Sequence, residues 1–444
     1  MSKGQTSPHT ALAAMGFTAT GLFAFGLACA ALLIRPDVLA GSETHGVTRA
    51  LTHMATLGWI GSLLFAGAYL IGPKLSGSAL WNTRLPLVHF FCHLVGLVFL
   101  SGGLLLTHAL STAIGAWLIF IGLVMLVYNL LRTGSRRSLW TPSHMALQSA
   151  LFWLTITGGV ALFLLRLRSM EKPPIPLEVA TTLHAHFALF GFLSQMLLGV
   201  SLRVAPELLG DHHHSKAGEK AAWAGLIGLN GGLLIFFSMA LSGMHGAMFG
   251  AGIVIAFGVA AFAVAIVRAL WATHVRLTWG VLSHITGVVL LVIITVGALV
   301  TFPSIGDGGA DALRQWMRTY ISLALLGPFA FAAFGAGQHL APRLVWYLRY
   351  EPWKERTHVP PISALRRESA GGPVYFSLLM AWIYLLIGQI WQQPDSIRIA
   401  AALLLVGFIW FLTAISPALL RFIFGVVPED LHDDATPSQN LKKP

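Results

Sequence analysis

The stretch Thr182-Leu183-His184-Ala185-His186-Phe187-Ala188-Leu189-Phe190-Gly191, continuing as FLSQMLLGVSLRVAP to Pro206, decides both the fold and the site. It is apolar over a length that can cross a bilayer, yet it carries two imidazoles near its start. A histidine inside a membrane span is costly and therefore a functional hypothesis. Neutral imidazole is also the commonest protein ligand for metals and haem iron. At i and i+2, the two rings point about 200° apart around a helix, so one segment can serve a site on each flank.

Working outward, the same frame recurs. His186-x4-Gly191-x14-Pro206 matches His53-x4-Gly58-x14-Pro73 residue for residue in spacing. Gly327-x14-Pro342 repeats it again, with Ser322 where the histidine would stand. Each proline is followed by one residue and then Leu: Leu75, Leu208 and Leu344. A self-similar period is the mark of a repeat architecture. Ser143-His144 and Ser283-His284, each a few residues after a tryptophan (Trp140, Trp279), support the same period.

Bulk composition agrees with a membrane setting. The 444 residues are 56% hydrophobic and 10% charged, the profile of a polytopic membrane protein. Twelve apolar runs are long enough to span: 11–34, 48–73, 85–107, 109–131, 143–167, 180–206, 219–241, 246–271, 276–302, 318–347, 373–392 and 397–425. The expected fold is an all-α membrane protein of twelve transmembrane helices in three pseudo-repeated four-helix groups, about 11–131, 143–271 and 276–425. Residues 1–444 form one integral membrane domain, with 426–444 as a polar cytoplasmic tail. Met1 to Thr10 reads as the lead into a retained first helix rather than a cleaved signal.

The net charge of +11 reads as topology, not as a nucleic-acid footprint. Most of the 28 Lys and Arg, including Arg132, Arg136, Arg137, Arg268, Arg349, Arg366 and Arg367, fall on one side if the helices alternate. The positive-inside rule then puts both termini in the cytoplasm of a cell with this protein in its inner membrane. His53, His184 and His186 fall in the outer half. Cys29 and Cys92 lie inside apolar runs, forming neither a disulfide framework nor a CxxCH haem-attachment motif.

Further candidates follow along the chain. His89 and His93, at i and i+4, share one side of a helix and form a possible metal pair, with two hydrogen-bonded core histidines as the bland alternative. His245, beside Met244 in a short outer turn, is a reserve ligand. Arg314 and Arg318 could hold carboxylates such as haem propionates, or simply anchor the helix at the interface. The run Asp211-His212-His213-His214 reads as a solvated surface.

The motif around Thr182–Gly191, with its Gly199-x6-Pro206 ending, resembles helix X of the haem–copper oxidase and nitric oxide reductase catalytic subunit, most closely the cbb-type. There an HxH pair supplies one axial ligand to each of two haems. Leu51-Thr52-His53 with Gly58 looks like helix II of that family, which gives the other low-spin ligand. The chain is also similar to the NnrS-type haem- and copper-containing membrane proteins. The resemblance implies one or two b-type haems, with copper as a further candidate. It makes His53 and His186 opposite axial ligands of one haem and turns His184 to a second haem or metal. The implied function is electron transfer or a response to nitric oxide or metal stress, with membrane lipid and a redox partner or second membrane subunit as partners and no nucleic acid.

The chain departs from the family in several ways. Its HxH lies in the second group instead of the third. The adjacent His-His copper pair and the tyrosine-linked ligand are absent from the spans, and so is the Glu of the nitric oxide reductases. No complete oxidase or nitric oxide reductase centre is recognisable, which leaves open whether the protein is an enzyme. Apart from the resemblance, repeats and membrane histidines also suit a cofactor-free transporter or channel. Four helices per unit makes the repeats parallel, unlike the inverted repeats of many transporters.

Overall fold

The computed structural model describes residues 7–40, 46–134, 140–208, 218–272, 277–305, 309–354 and 359–424. The fold is helical, with no strand among the described residues. Twelve helices are long and apolar enough to cross a membrane. They are α1 (Pro8–Ile34), α2 (Gly46–Pro73), α3 (Leu85–Leu105), α4 (Ala109–Gly134), α5 (Pro142–Leu167), α6 (Leu177–Leu202), α7 (Glu219–Leu241), α8 (Met248–Trp271), α9 (Trp279–Thr301), α10 (Asp311–Arg349), α11 (Glu368–Ile390) and α12 (Pro394–Phe424). This is the make-up of a multi-pass membrane protein. Helices suit that setting because every backbone polar group is satisfied within the segment.

Several helix starts are written in the sequence. Ser7 caps α1 by accepting from the N–H of Thr10, Thr141 caps α5 by accepting from His144, and Thr278 caps α9 by accepting from Val281. Proline at the first position of α1 and of α5 costs no hydrogen bond there. Later prolines behave less simply. Pro73 ends the apolar span of α2 but not its helix, which continues to Ser76, and the helix around Pro342 runs on to Arg349.

Consecutive helices pair most extensively as α3–α4, α7–α8 and α11–α12. Small residues make the first two pairs possible. A Cβ on Gly115 would lie 2.2 Å from the backbone N of Leu100, and one on Gly258 would lie 2.5 Å from that of Leu229. Close backbone approach is how membrane helices gain packing without a hydrophobic driving force. Further contacts join α4 to α5, α8 to α9 and α12 to α1, so the bundle closes into a ring. Arg398 of α12 reaches the carbonyl of Leu33 in α1, and Phe408 packs on Phe25.

Inside the ring stand α2, α6 and α10, and each contains a π-helical stretch: Met54–Gly61, Phe187–Ser194 and Leu325–Phe329. The stretches in α2 and α6 begin directly after His53 and His186. Short π segments inside α-helices are rare and concentrate at functional sites. Aromatic side chains fill the space between these helices. Trp59 packs with Phe25 and Phe334, and Phe65 stacks on Phe192.

Candidate functional site

A cavity of about 950 Å³ opens at the end of the bundle that carries His53. Its walls come from α1 to α6 and from α10, and they are mainly apolar, with Leu57, Leu100, Leu123, Leu154 and Leu189 among them. That volume suits a drug- or cofactor-sized ligand. Threonines are scattered among the apolar side chains, and two sets of stronger polar groups stand out: a pair of imidazoles and a cluster of guanidiniums with Glu178 and Asp311 beside it.

The imidazoles are His53 of α2 and His184 of α6. Their ring centroids are 6.3 Å apart and the planes lie 24° from parallel. Two imidazoles bound through nitrogen to opposite sides of one metal would have centroids about 6 Å apart, from a metal–nitrogen length of about 2 Å and about 1.1 Å from nitrogen to ring centre. The hydrogen bonds set the tautomers. His53 Nδ1 donates to the carbonyl of Arg49 at 2.8 Å, and His184 Nδ1 donates to that of Thr157 at 3.2 Å. A carbonyl only accepts, so each Nδ1 carries the hydrogen and each Nε2 presents a lone pair. Among the described residues no hydrogen bond reaches either Nε2. Metal-bound histidines are typically held this way, by donation from the other ring nitrogen.

At the mouth stand Arg49, Arg168, Arg314 and Arg318. Arg314 pairs with Asp311 and lies 3.8 Å from Glu178, so its charge is already answered. Arg49 differs: its Nε is buried with no hydrogen-bond partner. Arg168 lies just beyond the end of α5, where burial first and then the charge of Arg49 lower its pKa. Two like charges this close make a locus for an anion, above all a carboxylate that can accept a forked pair of N–H groups.

His186 occupies the other flank of α6, as the i, i+2 spacing requires. It is buried against α7 and α10, with its ring stacked 4.4 Å from that of Phe236. Its Nδ1 donates to the carbonyl of Thr182 and its Nε2 accepts from the hydroxyl of Tyr320, both at 2.8 Å. Both nitrogens are therefore engaged, and the ring does not line the cavity. The partner that faces His53 is His184, whereas the sequence expectation paired His53 with His186. Identical repeat position did not fix which ring faces α2; the rotation of α6 did.

The other expected ligands fare differently. His89 and His93 are fully buried together in α3, 6.1 Å between ring centroids. His89 Nδ1 bonds the Tyr69 hydroxyl and His93 Nε2 bonds Ser62, each at 3.0 Å. The remaining nitrogen of each is buried without a partner. Among the described residues no group of three His, Cys, Asp or Glu side chains is placed to hold a metal ion. The side chain of His245 and the run 211–214 lie outside the described residues. His284 is engaged on both nitrogens, by Ser201 and the carbonyl of Ala332, and His144 bonds Gln148.

No protein-family model and no curated protein matches the chain. The site therefore has to be read from its own geometry. Sequence reasoning picked out His53 and His184, as well as Arg314 and Arg318. It passed over Arg49 and Arg168, although Arg49 stands one helical turn before His53 and so was bound to share its face.

Proposed function

We propose that the cavity binds a b-type haem, which His53 and His184 would hold through Nε2. The observation that carries this is the facing pair itself: near-parallel rings at 6.3 Å, each anchored through Nδ1 to a backbone carbonyl. The apolar walls suit the porphyrin faces, and Arg49 and Arg168 suit the propionates. Such a haem would supply reversible one-electron transfer. Held by two protein imidazoles, it would be suited to carrying electrons rather than to binding a gas. In this reading His184 takes the role that the family resemblance gives to His186.

The same reading treats the protein as three parallel four-helix units, 11–131, 143–271 and 276–425. Support comes from caps at Ser7, Thr141 and Thr278, from π-helical stretches in α2, α6 and α10, and from pairing that recurs as α3–α4, α7–α8 and α11–α12. The cavity then faces the outer side of the inner membrane, with both termini cytoplasmic, as the positive-inside rule favours.

The test is an absorption spectrum of protein purified with haem supplied during expression. The expected result is a Soret band with the sharp visible bands of a low-spin, bis-imidazole haem. It should disappear in His53→Ala and His184→Ala and persist in His186→Ala. A colourless native protein that moves a solute across proteoliposomes would replace the proposal with a transporter.

A further inference from the structure

The far flank of α6 carries a second chemistry. Tyr320 and His186 are both buried, and a hydrogen bond of 2.8 Å joins Tyr320 Oη to His186 Nε2. Because His186 Nδ1 donates to Thr182, Nε2 must be the acceptor and the phenol the donor. That is a phenol with a base already in place for its proton. A line of rings leads away from it. Trp316 packs 4.6 Å from Tyr320, Phe302 lies 5.3 Å beyond Trp316, and Phe249 lies 6.4 Å beyond Phe302. Trp316 is half-exposed, and its indole N–H bonds Thr301 at the end of α9.

We propose that Tyr320 and His186 form a proton-coupled redox pair, wired to the protein surface through Trp316. A one-electron, outer-sphere oxidant at the surface takes an electron from the indole of Trp316. Tyr320 refills that vacancy with one electron while its phenolic proton moves along the existing hydrogen bond to His186 Nε2. The products are a neutral tyrosyl radical, an imidazolium and the oxidant reduced by one electron. Re-reduction through the same rings returns the proton to the phenol oxygen. Phe236, stacked on the imidazole, and the Thr182 carbonyl stabilise the transient imidazolium through cation–π attraction and a stronger hydrogen bond. The coupling matters because an isolated buried phenol would otherwise lose its electron to give a cation with no base to relieve it. The relay uses only side chains, so it does not depend on the haem reading.

The experiment is flash-quench oxidation of the detergent-solubilised full chain by photogenerated ruthenium(III) polypyridyl, followed by electron paramagnetic resonance. A neutral tyrosyl signal is expected in the native protein and is lost in Tyr320→Phe. In His186→Gln, which keeps a polar partner but removes the base, the signal is lost or strongly diminished. In Trp316→Phe it forms more slowly. Circular dichroism of each variant reports that the helices are intact. If Tyr320→Phe or His186→Gln loses its helices, the native protein is read by radical line shape and by deuterium effect on the rate of radical formation. Absence of the signal in the native protein, an undiminished signal in a folded Tyr320→Phe, a rate unchanged in deuterium, or unaltered behaviour in either a folded His186→Gln or a folded Trp316→Phe would overturn the proposal.

Discussion

His184 and His186 are the same residue type, two positions apart on one helix, and they have opposite characters. His184 gives one nitrogen to the Thr157 carbonyl and turns the other to a cavity of about 950 Å³. His186 spends both nitrogens, on Thr182 and Tyr320, in a packed interior. The contrast teaches that burial and residue type do not mark a ligand; an uncommitted nitrogen facing open space does. Buried polar groups are normally satisfied, so a nitrogen left free beside a cavity is the informative exception.

The comparison breaks most decisively at the ligands. Replacing His184 or His53 with Ala should cut haem retention by more than about 100-fold, whereas His186→Ala should leave the Soret band in place. Equal loss in all three would erase the distinction. Next in size is Arg49→Ala, expected to weaken retention by about 10- to 100-fold in a haem-transfer assay, the usual scale for an outer partner of a bound cofactor. An unchanged rate of haem transfer would remove Arg49 from the site. On the opposite flank, Tyr320→Phe strands the buried Nε2 of His186 and should cost about 1–2 kcal/mol, read as a lower melting temperature with an unaltered Soret position. A shifted Soret band would mean the two flanks are coupled. Smallest of all is Thr157→Val. Its hydroxyl bonds Trp153, while the tether to His184 is the backbone carbonyl, so stability should fall by less than about 1 kcal/mol with the haem spectrum intact.

Much of this was legible in the sequence. Apolar runs located the twelve spans to within a few residues at most ends, because crossing a bilayer demands length and little else. The largest misjudged end was the start of α10: it begins at Asp311, well before the apolar run at 318, since Arg314 and Arg318 are accommodated at the cavity mouth. The imidazoles were found because a histidine in apolar surroundings is conspicuous. Their partners were not, because partner choice depends on helix rotation. The π-helical stretches in α2 and α6 change the residues per turn just below the histidines, and nothing in the local sequence announces them. Arg168 was hidden for a different reason. It comes from the end of α5 and meets Arg49 only after the helices assemble.

The closure of the ring by α1 and α12 bears on how the protein is made. Leu33 and Arg398, which touch across that seam, are separated by 365 positions in the chain. At a synthesis rate of about 5–20 residues per second, the first helix waits about 20–70 s for its last neighbour. During that interval the side of α1 carrying Phe25 has lipid tails, which are as apolar as Phe408, for company. Ribosome-tethered intermediates lacking α12 should therefore persist in the bilayer as an open crescent, held on one side and unfinished on the other.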